Sequence, residues 1–183
     1  MRVSVRIVDR AVACGALLLV VVLGLQVREL RTDAVALRER VRVVSTGDVL
    51  PPFEATSTDG VSVSVAHGRA NTLQVLLVFN TRCGFCAKNL PYWRGLVDSL
   101  RAAPSTSVLG WSHDPDSLTV PYVAEHGLTF PVITPDSRWR SVFKVGRVPT
   151  TLVVGEGGRV RFARAGVLTR EAMDSVMSLV RGD

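Results

Sequence analysis

The chain has 183 residues, 47% of them hydrophobic and 21% charged, which suits one globular domain of about 100–150 residues plus an additional segment. Its net charge of +6 is unevenly placed: residues 1–44 hold eight arginines against four acids, and residues 45–183 hold fourteen basic residues against twelve acids. The basic character reads as membrane flanks, and with no basic-aromatic patch in the sequence a nucleic-acid partner is not expected.

Residues 1–10 form an N-terminal flank with Arg2, Arg6 and Arg10. Residues 11–27 carry no charge and centre on Leu17-Leu18-Leu19-Val20-Val21-Val22-Leu23. Such a run is near the lower limit for a spanning helix and long for a signal-peptide core, so it is read as a transmembrane signal-anchor in contact with lipid. The small-x-small pattern Ala34-Val35-Ala36 lies behind Arg28, Glu29, Arg31 and Asp33, too far on for cleavage, and Cys14 is read as a small apolar helix residue. Arginines flank both ends of the run, and their count does not favour an N-in arrangement. Residues 28–46 are read as a helical stalk or linker. Val27, Leu30, Ala34, Leu37, Val41 and Val44 alternate steps of three and four, which suits either a weak dimer through residues 27–44 or an amphipathic helix resting on lipid or on the domain. Gly47 and Pro51-Pro52 end that helix, and the domain is taken as residues 47–183.

Within the domain, Phe53 to Val65 reads as a hairpin turning at Asp59-Gly60, and His67 as a surface loop residue. Leu73-Gln74-Val75-Leu76-Leu77-Val78-Phe79 is a continuous apolar run suited to a buried strand. Leu90, Trp93, Val97 and Leu100 then recur at helical spacing, so Cys83-Gly84-Phe85-Cys86 lies where strand hands over to helix. Ser107–Trp111 is a second core strand, and His113-Asp114-Pro115-Asp116 a turn opening a helix through His126. Ser112-His113-Asp114 has the residue types of a hydrolase triad, but neighbours on one strand end cannot form that relay. Phe130–Ile133 is a short strand, and Trp139, Val142 and Phe143 line a short helix. A cis X-Pro turn is expected at Val148-Pro149, ahead of the strand Thr151–Val154. Gly157-Gly158 turns the chain into Val160–Ala163 as an antiparallel pair, and Thr169 caps a last helix with Met173, Val176, Met177 and Val180 inward. The fold class is a layered α/β domain with a mixed sheet.

The chemistry lies in Cys83 and Cys86. A helix N-terminus offers unpaired N–H groups and the positive end of the dipole, which stabilise a thiolate, the attacking form of cysteine. Cys83 is therefore the expected nucleophile. A second thiol one turn on can resolve a mixed disulfide and leave a Cys83–Cys86 bridge. A zinc site needs four ligands, and Cys14, His67, His113 and His126 are not spaced to complete one; haem attachment needs His after Cys86, where Ala87 stands. No metal and no cofactor are expected. A purely structural disulfide is the remaining alternative, although a stapling bridge usually closes a longer loop.

With Pro52-Phe53, Asp59-Gly60, the strand into Cys83-Gly84-Phe85-Cys86, Pro91, Phe130-Pro131 and Val148-Pro149-Thr150 before Gly157-Gly158, the segment from about Gly47 to Val180 resembles the membrane-anchored thioredoxin-like proteins of the TlpA/ResA type. The resemblance implies a thioredoxin-like fold, a central mixed sheet flanked by helices with a helix-strand insertion near residues 112–133. It implies a protein-disulfide oxidoreductase with Cys83 as exposed nucleophile, Cys86 as buried resolving thiol and Pro149 packed against them in cis. Val148 would bind an extended substrate segment through its backbone; beside what the resemblance implies, Arg82 and Phe85, which flank or lie within the cysteine motif, are taken as further substrate-binding residues. The partners would be protein thiol or disulfide substrates and a membrane electron donor, and the direction would be reductive, as in cytochrome c maturation.

Several positions depart from that pattern. Arg82 stands where many relatives have Trp, and a cation there favours acidic partners. Leu77 replaces the buried acid of thioredoxins, and Asn89 the glutamate of other relatives, so the base serving Cys86 is left to water, Lys88 or an acid not yet placed, and exchange is expected to be slow or narrowly specific. The domain is expected on the periplasmic side of the cytoplasmic membrane, where a tethered dithiol has disulfides to exchange. Two other uses remain open: a peroxidase, although Leu76 and Asn80 stand where peroxiredoxins have Pro and Thr, and a tethered binding module or Cu(I) metallochaperone.

Overall fold

The computed structural model describes residues 19–20, 22–29, 31 and 43–182, and the chain divides into two units, Met1–Arg42 and Val43–Asp183. In the first, the described residues are helical and exposed. Residues 11–18 and 21 of the expected span, and most of the expected stalk, lie outside the described residues. Among those described, no helix is long and apolar enough to cross a membrane.

The second unit contains, in order, β1 (Phe53–Thr56), β2 (Ser62–Val65), β3 (Leu73–Phe79), α1 (Gly84–Leu100), β4 (Thr106–Ser112), α2 (Asp116–Glu125), β5 (Val132–Ile133), α3 (Ser137–Val142), β6 (Thr150–Val154), β7 (Val160–Ala165) and α4 (Arg170–Arg181). A five-stranded sheet has the order β5-β4-β3-β6-β7. In it β3, β4 and β5 run parallel, β6 is antiparallel to β3, and β7 is antiparallel to β6. The β1–β2 hairpin forms its own antiparallel pair, Phe53 opposite Val65.

Strand β3 lies at the centre because its side chains are apolar at both strand parities, which requires cover on both faces. Val75, Leu77 and Phe79 join one cluster with Cys86, Leu90, Trp93 and Leu96 of α1, Tyr122 of α2 and Val176 of α4. Leu76 and Val78 join the other with Phe53, Val65, Trp111, Phe143 and Val145. All five residues from Val75 to Phe79 are fully buried. The helix that follows is pinned to the sheet by more than apolar contact: Trp93 Nε1 donates to Thr151 Oγ1 at 3.1 Å in the interior.

Several boundaries move from their expected places. Val44 is buried against the core and residues 43–46 are not helical, so the domain starts at Val43; the Val44 side chain satisfies a domain core and not a stalk seam. On α1 the fully buried position is Leu96, with Val97 only partly covered. Val142 is exposed, and Trp139 and Phe143 carry the apolar face of α3, with Phe53 stacked on Trp139 at a centroid distance of 4.0 Å. The strand expected over Phe130–Ile133 shortens to Val132–Ile133, since Pro131 offers no N–H; its carbonyl accepts from Gly110 at 2.8 Å. Thr169 caps α4 as expected, accepting from Ala172 N. The turn before β7 requires glycine at Gly158: φ is +73°, and a Cβ there would lie 2.2 Å from the Leu50 carbonyl oxygen.

Candidate active site

The site begins where β3 ends. Cys83 is the N-cap of α1 with extended backbone, φ −92° and ψ 108°. The Cys86 N–H donates to Cys83 Sγ at 3.3 Å and to the Cys83 carbonyl at 2.9 Å. No acid stands in the first turn of α1, so the positive end of the helix faces the Cys83 sulfur unopposed from within its own turn. Both cysteines are free thiols; Cys83 is half-buried and Cys86 buried. Burial is the largest cause pushing the Cys86 thiol up to about 12, reinforced by its hydrogen bond with Cys83 and by the negative charges of Cys83 and Asp114. One sulfur is therefore reachable and the other is held protonated behind it.

The second wall is the segment before β6. The Val148–Pro149 peptide is cis, as the sequence leads one to expect, and Pro149 is buried. The Cys83 thiol points to the Val148 carbonyl oxygen at 3.9 Å. That segment is fixed from both sides: Thr150 Oγ1 donates to the Arg147 carbonyl at 2.7 Å, and Gly166 N donates to the Pro149 carbonyl at 2.7 Å. Cys83, Cys86 and Val148 thus come together in one cluster, with Pro149 the next residue along the chain. Arg82 and Phe85 stand at the exposed rim, Phe85 at 62% exposure with the Lys88 ammonium 5.4 Å from its ring centroid.

Asp114 is the residue that reading the sequence missed. Its carboxylate accepts from Thr81 N and Thr81 Oγ1, both at 2.7 Å, and from Asn80 Nδ2 at 3.0 Å. Asn80 in turn accepts from Arg82 N through Oδ1 at 2.9 Å and from Cys83 N through its carbonyl at 3.3 Å. The turn delivering Cys83 is therefore clamped by an anion from the end of β4. A signal was available: β3 and β4 are parallel neighbours with Phe79 opposite Ser112, so the residues just beyond each strand must meet.

Ser112, His113 and Asp114 form no relay. Asp114 N and Thr119 Oγ1 both donate to Ser112 Oγ, at 3.1 and 2.8 Å. His113 is pushed down to about 4 by burial and by Arg140, against the opposing pull of Asp114. Tyr122 stacks on Phe79 at 5.6 Å, and its hydroxyl is pushed up by burial and by charge on the two cysteines. Asn89 is fully buried and ties α1 to the loop before α4, its Oδ1 accepting from Leu168 N at 2.8 Å. Leu77 is packed in the apolar cluster with Cys86. His67 pairs with Glu54 at 3.0 Å on the hairpin.

Because folding raises the Cys86 pKa from 9.0 to about 12, the reduced protein keeps this part of its stability below about pH 9 and loses it as pH rises toward 12. Chemical denaturation of the reduced protein between about pH 7 and 11 should show that decline, and Cys86→Ala should flatten it. An unchanged alkaline slope in Cys86→Ala would contradict the burial argument.

The AhpC/TSA family model matches residues 46–163. The chain is 26% identical over 140 residues to the thiol-disulfide oxidoreductase ResA of Geobacillus kaustophilus, covering 75% of this chain and 79% of that protein. The crystal structure of StoA from Bacillus subtilis superposes with a TM-score of 0.59 at 18% identity, over 70% of this chain and 98% of that one. That of peroxidoxin BcpB from Mycobacterium tuberculosis gives 0.60 at 18% identity, over 76% and 97%. These structural likenesses establish the thioredoxin-like fold, and the family match over most of the domain makes this chain a member of the AhpC/TSA family.

Proposed function

We propose that the protein is a membrane-tethered thiol-disulfide oxidoreductase that reduces disulfides of extracytoplasmic proteins through Cys83 and Cys86. The observation that carries this reading is the pairing of a half-exposed Cys83, capping a helix without first-turn acids, with a buried Cys86 whose N–H already donates to the Cys83 sulfur. Similarity to ResA, a thiol-disulfide oxidoreductase by name, points the same way.

The reaction balances in two exchanges. The Cys83 thiolate attacks one sulfur of the substrate disulfide, that S–S bond breaks, and the other substrate sulfur leaves as a thiolate that takes up a proton. Cys86, losing its proton, then attacks Cys83 Sγ; the mixed disulfide breaks and the second substrate thiol is released. The substrate gains two electrons and two protons, and a Cys83–Cys86 disulfide remains, to be reduced again by a membrane dithiol donor. Val148 and Pro149 form the wall along which an extended substrate segment lies. The reductive direction, of the cytochrome c maturation type, is the one that the resemblance to the TlpA/ResA type implies. The peroxidase alternative is weaker, since Leu76, at the place of the peroxiredoxin proline, is buried in the core.

In Cys86→Ser a mixed disulfide with substrate should accumulate at Cys83, and in Cys83→Ser none should form, as read by non-reducing electrophoresis and mass mapping. Trapping by both variants, or by neither, counts against the assignment of roles. Asp114→Asn removes a negative charge that opposes ionisation of Cys86, so alkylation of Cys86 in the reduced protein should set in at lower pH than in the parent protein. An alkylation profile displaced to higher pH in that variant would reverse the sign assigned to Asp114.

A further inference from the structure

The charge of the domain is segregated in a way that its small net value hides. Residues 80–97 and 137–155, the two segments that supply both walls of the site, contain seven basic residues and no acid, three in the first and four in the second; the rest of residues 45–183 holds seven basic residues against twelve acids. Asp114, the acid whose charge reaches Cys86, has its carboxylate held by three hydrogen bonds from Asn80 and Thr81.

Three of the cations bracket the reactive sulfur. Arg82 precedes Cys83 and is exposed; Lys88 is exposed one turn along α1; Arg147, also exposed, precedes Val148, whose carbonyl lies 3.9 Å from Cys83 Sγ. Between them the surface is apolar: Phe85 and Tyr92 are 62% and 39% exposed and lie seven residues apart on one helix face, with Lys88 between them. A single exposed cation is largely screened at physiological salt, but clustered charge of one sign around a cleft raises the local concentration and on-rate of oppositely charged partners.

We propose that this rim is a docking face for acidic substrate segments: an extended stretch carrying the target disulfide with Asp or Glu on both sides of the reacting cysteine. The inference rests on the oxidoreductase reading and specifies its substrate class. Complementary charge of this kind acts mainly on association rate and on rejection of wrong partners, so it selects substrates without changing the chemistry at sulfur.

The test uses the full-length reduced protein and three disulfide-bonded peptides of one sequence, differing only in whether the residues flanking the cysteine are Glu, Ser or Lys. A small neutral disulfide, 2-hydroxyethyl disulfide, serves as the reference. The rate constant for exchange should fall in the order Glu, Ser, Lys, with about a tenfold span at low salt that shrinks steeply as salt is raised. Lys88→Glu combined with Arg147→Glu should bring the Glu-to-Lys ratio close to one. Equal rates for the three peptides, a preference for the Lys peptide, or an unchanged ratio in the double variant would overturn the docking face while leaving exchange itself intact. Reaction with neither the peptides nor the neutral disulfide would instead overturn the oxidoreductase reading, and this inference with it.

Discussion

The whole site depends on Cys86 being held in the apolar layer between β3 and α1 while Cys83 remains at the helix end. One turn of helix separates the two sulfurs, yet they meet different dielectrics: one faces the helix N-terminus and the opening beside Val148, the other sits with Leu77, Phe79, Leu90 and Trp93. Everything else in the domain keeps that turn in place. The central strand is covered on both faces and cannot slide without exposing apolar side chains. Trp93 locks the helix to β6 through Thr151, the strand that begins just beyond Pro149. The two walls are therefore positioned by one set of contacts.

Asp114 adds an electrostatic consequence to a structural clamp. It holds the turn at Asn80 and Thr81, and its charge opposes ionisation of Cys86 in the same direction as burial does. Neither acid expected from comparison with thioredoxins or their relatives is present; Leu77 is apolar packing, and Asn89 spends its carbonyl on the backbone of Leu168. The chain thus keeps a negative charge near the pair while moving it from the central strand to the end of its neighbour.

Much of this was legible in the sequence because the signals were local. The apolar run at Leu73–Phe79 could only be a doubly covered strand, the Gly157-Gly158 turn needed left-handed backbone, and Thr169 had the chemistry of a cap. The cysteine pair at a strand-to-helix junction and the cis proline followed from spacing and residue type. What escaped was set by tertiary contact. Asp114 lies more than thirty residues from the turn it clamps, and its sequence neighbours suggested a triad that the strand geometry forbids. Val44 matched a heptad seam, but the core of the domain claimed it; on α1 a one-residue rotation of the buried face exchanged Val97 for Leu96. Periodicity gives the existence of a face more reliably than its centre.

The reductive role is tested most directly by the reduction potential of the Cys83–Cys86 pair in the full-length protein, equilibrated in thiol-disulfide buffers and read by alkylation and peptide mapping of the two cysteines. A reductant that must be supplied with electrons should show a single two-electron couple near or below about −250 mV. A potential of about −120 to −180 mV would contradict the direction assigned to it, and failure of Cys83 and Cys86 to form a disulfide in any buffer would contradict the redox role itself.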